Sequence, residues 1–248
     1  MPRWMRQRPR RSGWRQPTGW PDAITFSGEL DLALTQADEA RAAASALEKP
    51  VLEAMCHTLQ ARCLASASES DAAHVAALRA LKLVEPLAAG DEAARAAQQG
   101  AVMALGVLCM QLGDLALAME WVQRGIDESR PLPDPSAYAA AIDTQGCVLS
   151  ALAAQARSTG DDGEALRLEQ RAIVCSSEAV EVARRCGHLE YETSASLNLA
   201  ESLTLTGEAA RALELLLEWG RRHPQAPAPP PHASARRTRP GLPRAGPA

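Results

Sequence analysis

Three times along the chain a glycine is followed by an acid at a fixed distance. Gly113-Asp114, Gly160-Asp161 and Gly207-Glu208 lie 47 residues apart. Equal spacing of a helix-stopping residue is the mark of a repeat architecture. Two weaker copies precede them, Gly28-Glu29 and a copy with Ser68 in the glycine position. The successive spacings are 40, 45, 47 and 47 residues. Small residues recur around each turn. Ala33, Ala73, Ala118, Ala165 and Ala212 each stand five positions after it, and Gly106, Ala153 and Ala200 precede the last three turns. Each residue type has a physical reason. Glycine adopts the left-handed conformation that lets one helix end and the chain reverse. The acid that follows meets the positive end of the next helix. The small residues let paired helices approach, and a larger side chain there would force them apart. One such pair cannot bury its apolar face, so pairs must stack.

The composition agrees with helices, rules out an all-β fold and disfavours a parallel α/β fold. The 248 residues include 50 Ala and 31 Leu but one Phe, two Tyr and five Trp. Strands favour β-branched and aromatic side chains, whereas Ala and Leu are the strongest helix formers. The punctuation of Gly, Pro and Asp predicts helices over roughly 30–48, 50–66, 70–88, 91–111, 114–129, 136–158, 163–186, 189–206 and 208–220. Residues 1–21 read as a basic segment that is either disordered or an artefact of an upstream start. Residues 22–220 read as one helical repeat domain. Residues 221–248, rich in Pro and Arg, read as a disordered tail.

The net charge of -4 is an average over three regions. Residues 1–21 and 219–248 each hold six Arg and no acid. All 30 acids therefore fall in 22–218 against 26 - 12 = 14 bases, a body at 14 - 30 = -16. So acidic a body repels phosphate backbones, and nucleic acid is not its expected partner. No apolar run approaches the ~18 residues of a membrane span, and no secretory leader is recognised. The expected location is cytoplasmic. Cys56, Cys63, Cys109, Cys147, Cys175 and Cys186 are scattered through apolar helical patterns with no C-x-x-C pair. They read as small buried hydrophobes, and no metal or cofactor is expected.

The residues at the turns resemble the tetratricopeptide repeat. Leu105-Gly106, Leu152-Ala153 and Leu199-Ala200 match its first helix. Gly113-Asp114, Gly160-Asp161 and Gly207-Glu208 match its turn, over about 26–220 of the chain. Cys109, Ala156 and Leu203 stand where that family usually carries aromatics, and the period exceeds its 34 residues. The resemblance implies an all-α fold in which antiparallel helix pairs stack as a right-handed α-solenoid. It also implies that the first helix of each pair lines a concave groove for a protein or peptide. By that analogy the groove holds Met55, Leu59, Arg62, Met103, Val107, Met110 and Gln111. Further along it holds Ser150, Ala154, Arg157, Leu197, Asn198, Glu201 and Thr204. Methionine would give adaptable apolar contact, and Arg62 or Arg157 would pair a carboxylate of the partner. The bland alternative is that these residues pack on neighbouring helices or face solvent. A carboxylate clamp of the chaperone kind is not expected, because the chain has two Lys and one Asn.

No nucleophile, base and orienting group assemble into a catalytic set, so no enzyme is expected. The long-helix form is similar to repeat regions of bacterial regulatory proteins that carry a diguanylate cyclase or DNA-binding output domain. A signalling region separated from its output domain is thus the second reading. The change near 220 and the ratio of 24 Arg to two Lys leave a frameshift in a high-GC gene open.

Overall fold

A computed structural model describes residues 27–224. Among the described residues the fold is all-α, with nine helices and no strand. They are α1 (Ser27–Ala46), α2 (Pro50–Ser66), α3 (Ser70–Val84), α4 (Glu92–Gln111), α5 (Leu115–Ser129), α6 (Pro135–Ser158), α7 (Asp162–Cys186), α8 (Leu189–Leu205) and α9 (Ala209–Arg222). The largest departure from expectation is α3, which stops at Val84 instead of running to 88. Pro86 explains this, because it has no amide hydrogen to donate to the Lys82 carbonyl, so the ladder of helix bonds breaks there. The readings of 1–21 and of the tail beyond 224 fall outside the described residues.

One device makes most of the reversals. The residues in left-handed conformation are Glu48 (φ 51°), Ser68 (64°), Gly113 (81°), Gly160 (82°), Gly187 (72°) and Gly207 (89°). The amide after each reaches back five residues into the helix it closes. Asp114 N–H donates to the Cys109 carbonyl at 3.0 Å, Asp161 to Ala156 at 3.0 Å and Glu208 to Leu203 at 2.7 Å. Two acids then start the next helix. The Asp114 carboxylate accepts from Leu117 N–H (3.1 Å) and that of Asp161 from Glu164 N–H (2.9 Å). One residue pair thus ends one helix and opens another, which keeps the hairpin short. The longer Glu208 side chain does not cap and instead pairs with Arg211 at 2.8 Å.

Gly28 corrects the repeat reading at its first copy. It lies within the first turn of α1, and the residues that precede that helix fall outside the described ones. Ala33 is likewise only half-buried, whereas Ala73, Ala118, Ala165 and Ala212 are buried. The preceding small residues Gly106, Ala153 and Ala200 are buried as well. A Cβ at Gly106 would sit 2.9 Å from Val122 Cγ2 and 3.4 Å from the Val122 nitrogen, so α4 and α5 leave no room there.

Consecutive even-numbered helices touch: α2 meets α4, α4 meets α6, and α6 meets α8. Among α3, α5, α7 and α9 no such pair makes more than marginal contact. Consecutive even-numbered helices therefore lie closer to one another than consecutive odd-numbered helices do.

Candidate functional site

The expected groove residues divide into three groups. Met55 of α2 is 54% exposed and is flanked on the same helix by Leu52 and Leu59, also exposed. These three stand at i, i+3 and i+7, so they form one apolar stripe. Ala154 of α6 and Glu201 and Thr204 of α8 are exposed, and Arg62 of α2, Gln111 of α4, and Ser150 and Arg157 of α6 are partly exposed. The middle differs. Val107, Met110, Leu197 and Asn198 are buried and do not line an open surface. Val107 and Met110 share a core cluster with Val148 and Ala151 of α6, because α4 and α6 close on each other. Met103 is turned toward α5, where its sulfur occupies the space a Cβ at Gly125 would need. The absence of a side chain at Gly125 leaves it that space. An unbroken groove of the expected residues is thus interrupted at α4.

Asn198 is buried for a reason of its own. Its Nδ2 donates to Asp143 Oδ2 at 2.9 Å, and Ser194 Oγ donates to the same oxygen at 2.9 Å. Ser176 Oγ donates to Asp143 Oδ1 at 3.3 Å. Asp143 thereby joins α6, α7 and α8. Burial raises its pKa from the usual carboxylate range to about 6, and the bonds from Asn198, Ser194 and Ser176 offset part of that rise. Gly146, one turn along, makes the crossing possible, since a Cβ there would meet Ser176 Oγ at 2.8 Å and the Ala172 carbonyl at 3.3 Å.

Two more carboxylates are buried in the same half of the chain. Glu169 of α7 accepts from Ser150 Oγ at 2.9 Å and from the Arg157 guanidinium. Ser150 in turn bonds Ser202 of α8 at 3.1 Å. Arg157, expected to meet a partner's carboxylate, is therefore already committed within the fold. Glu192 of α8 takes bonds from Arg222, from Arg184 at 3.2 Å and from His223 at 3.2 Å. Burial alone would raise the Glu192 pKa, but the two Arg bonds and the charges of Arg222 and His223 outweigh it and hold it below the usual value.

The first half uses less polar joinery. His57 Nδ1 lies 2.8 Å from Gln60 Oε1, and Gln60 Nε2 donates to Asp38 Oδ1 at 2.6 Å, tying α2 to α1. Burial is the largest cause lowering the pKa of His57 and of His74. Burial also raises Cys56, Cys63, Cys147 and Cys175, and takes Cys109 to about 12, so these are thiols at neutral pH and poor nucleophiles. Among the described residues, no three or more His, Cys, Asp or Glu gather as metal ligands, and no helix is long and apolar enough to cross a membrane.

The buried carboxylates were the functional-looking groups the repeat reading passed over. Asp143 had a signal, being the lone acid in the 24 residues of α6. Glu169 and Glu192 had none, since α7 and α8 carry several acids each.

No family model matches the chain, and no curated protein matches it. Among solved structures it is similar to one described as the crystal structure of BtubC (BKLC) from P. vanneervenii. The TM-score is 0.45, with 14% identity over 88% of this chain and 97% of that one.

Proposed function

We propose that this chain is a helical-repeat protein of tetratricopeptide type, a non-enzymatic scaffold that binds a protein or peptide along its even-numbered helices. The observation that carries the reading is the recurrence of one turn at Ser68, Gly113, Gly160 and Gly207, each between an even and an odd helix. Repeated hairpins that bury small residues against each other give an extended surface without a catalytic centre. The closer approach of α2, α4, α6 and α8 supports a curved solenoid with that layer on the inside. The exposed stripe Leu52, Met55 and Leu59 is its apolar end, and Glu201 with Thr204 its polar end.

Site-directed photocrosslinking tests the reading. A photoreactive residue at Met55 or Thr204 should capture the same protein partner, and one at Val174, exposed on α7, should not. Equal capture from Val174, or none from either inner position, would count against the groove.

A further inference from the structure

The even helices meet one another through fixed repeat positions. Met55, Gly100 and Ser194 stand thirteen residues before Ser68, Gly113 and Gly207. Leu59, Ala151 and Asn198 stand nine residues before Ser68, Gly160 and Gly207. In the later helices these positions touch the even helix that comes before. A Cβ at Gly100 of α4 would lie 3.9 Å from Thr58 Cγ2 of α2. Ala151 of α6 shares its core cluster with Val107 and Met110 of α4. Ser194 and Asn198 of α8 both bond Asp143 of α6. In α2 the same two positions carry Met55 and Leu59, which with Leu52 are exposed. Among the described residues no even helix precedes α2. The stripe therefore faces the place that a preceding helix of the repeat would fill, and an end repeat with an apolar outer face lacks its cap.

The chain that leads to that place is residues 1–26, joined to α1 at Ser27. Pro9, Pro17 and Pro21 do not suit a helix. The side chains nevertheless suit the stripe. Trp4, Trp14 and Trp20 are three of the five Trp in the chain, and Phe26 is its one Phe. An indole brings a large apolar surface and packs well on a thioether such as that of Met55. The charges also match. Residues 1–21 hold six Arg and no acid, whereas α1 and α2 hold Glu29, Asp31, Asp38, Glu39 and Glu53 against Arg41 and Arg62. The reach is sufficient. The bond from Gln60 to Asp38 sets the register of the α1–α2 hairpin. The start of α1 thus lies about 18 Å along the axis from the level of Leu59, at 1.5 Å per residue. Extended chain from Ser27 spans about 23 Å to Trp20 and about 43 Å to Trp14.

We propose that the chain's own N-terminal segment covers this end of the even-helix face, with Trp14 and Trp20 on Leu52, Met55 and Leu59 and its arginines beside the acids of α1. A partner that uses the same end must displace it. The contact is intramolecular and is read without any partner, so its failure would leave the proposed function standing.

The test places a photoreactive residue at Trp14 or Trp20 of the full chain, irradiates the pure protein at low concentration, and maps the products by gel and mass spectrometry. A crosslink within one chain, to residues 52–59, is the expected result. Met55→Glu, at an exposed position that leaves folding intact, should lower its yield about tenfold, the size of one lost apolar side-chain contact. Met55→Leu should keep it. No crosslink to α2 would overturn the inference. So would crosslinks spread over the whole surface, crosslinks formed only between two copies, or a yield unchanged in Met55→Glu.

Discussion

The two halves of the molecule solve the same packing problem with different chemistry. Between α2 and α4 the core is mostly alanine: Ala54, Ala61, Ala76, Ala77, Ala80, Ala94, Ala97, Ala101 and Ala104 are all buried in one cluster. Among the described residues no carboxylate is buried in that half, whereas Asp143, Glu169 and Glu192 are buried between α6 and α9. Alanine faces let helices approach closely but hardly distinguish one register from a neighbouring one. A buried carboxylate with fixed donors is unfavourable in any other register, because a charge without partners costs several kcal/mol. The first half is thus held by close contact, and the second by contact plus addressed polar bonds.

Acid should separate the halves most sharply. Asp143 has its folded pKa raised to about 6. A raised carboxyl pKa means stability present below the ordinary value and lost as pH rises through about 6. Asp143→Asn removes that loss. The variant should gain on the parent by about 2 kcal/mol between pH 4 and pH 7, read by urea denaturation. A difference that stays constant over that range would show that Asp143 is not buried as described. His57 and His74 act oppositely. Their folded pKa values are lowered, so they contribute stability above about 6.5 that is lost on acidification. Hydrogen exchange from pH 6.5 to 5 should therefore weaken protection in α2 and α3 while strengthening it in α6 and α8.

Crowding comes next in size. Gly106→Leu in the first half and Ala165→Arg in the second should each destabilise by roughly 1–3 kcal/mol in denaturant melts, through overpacking. Gly146→Ala should cost about 1 kcal/mol although it adds a single methyl, because it displaces Ser176 from Asp143. An unchanged melt for Ala165→Arg would mean that the hairpin register is misplaced.

The smallest effects are at the caps. Asp114→Ala and Asp161→Ala each remove a side-chain bond to the next helix and should cost ~1 kcal/mol. Glu208→Ala occupies the same repeat position but removes no such bond, and its melt should barely move. Equal losses at all three would mean that the acid acts through its charge alone.

These contrasts also show what was readable in the residues. The reversals at Gly113, Gly160 and Gly207 were legible because a left-handed cap admits few residue types. Ser68 was placed by its spacing and the break after Glu48 by Pro50, while the left-handed backbone at both had no signal, since neither residue favours positive φ. The close contacts at Ala118, Ala165 and Ala212 followed from the same register. The groove was less legible because α4 is apolar around most of its circumference. Its residues Val107 and Met110 look alike in sequence whether they face a partner or α6. Arg157 and Asn198 read as surface groups until Glu169 and Asp143 are placed beside them, and those contacts cross 12 and 55 residues of chain.

The central claim is that the even helices form the inner layer, and a pair of distances tests it most directly. Arg62 and Glu201 hold matching positions in α2 and α8, six residues before their turns; Val75 and Glu214 match in α3 and α9, seven residues after. Spin labels carried on unnatural residues, which avoid the six free cysteines, give both distances by pulsed electron resonance. The account predicts a shorter separation for Arg62–Glu201 than for Val75–Glu214. Equal separations, or a shorter outer one, would contradict a stack curved around its even helices.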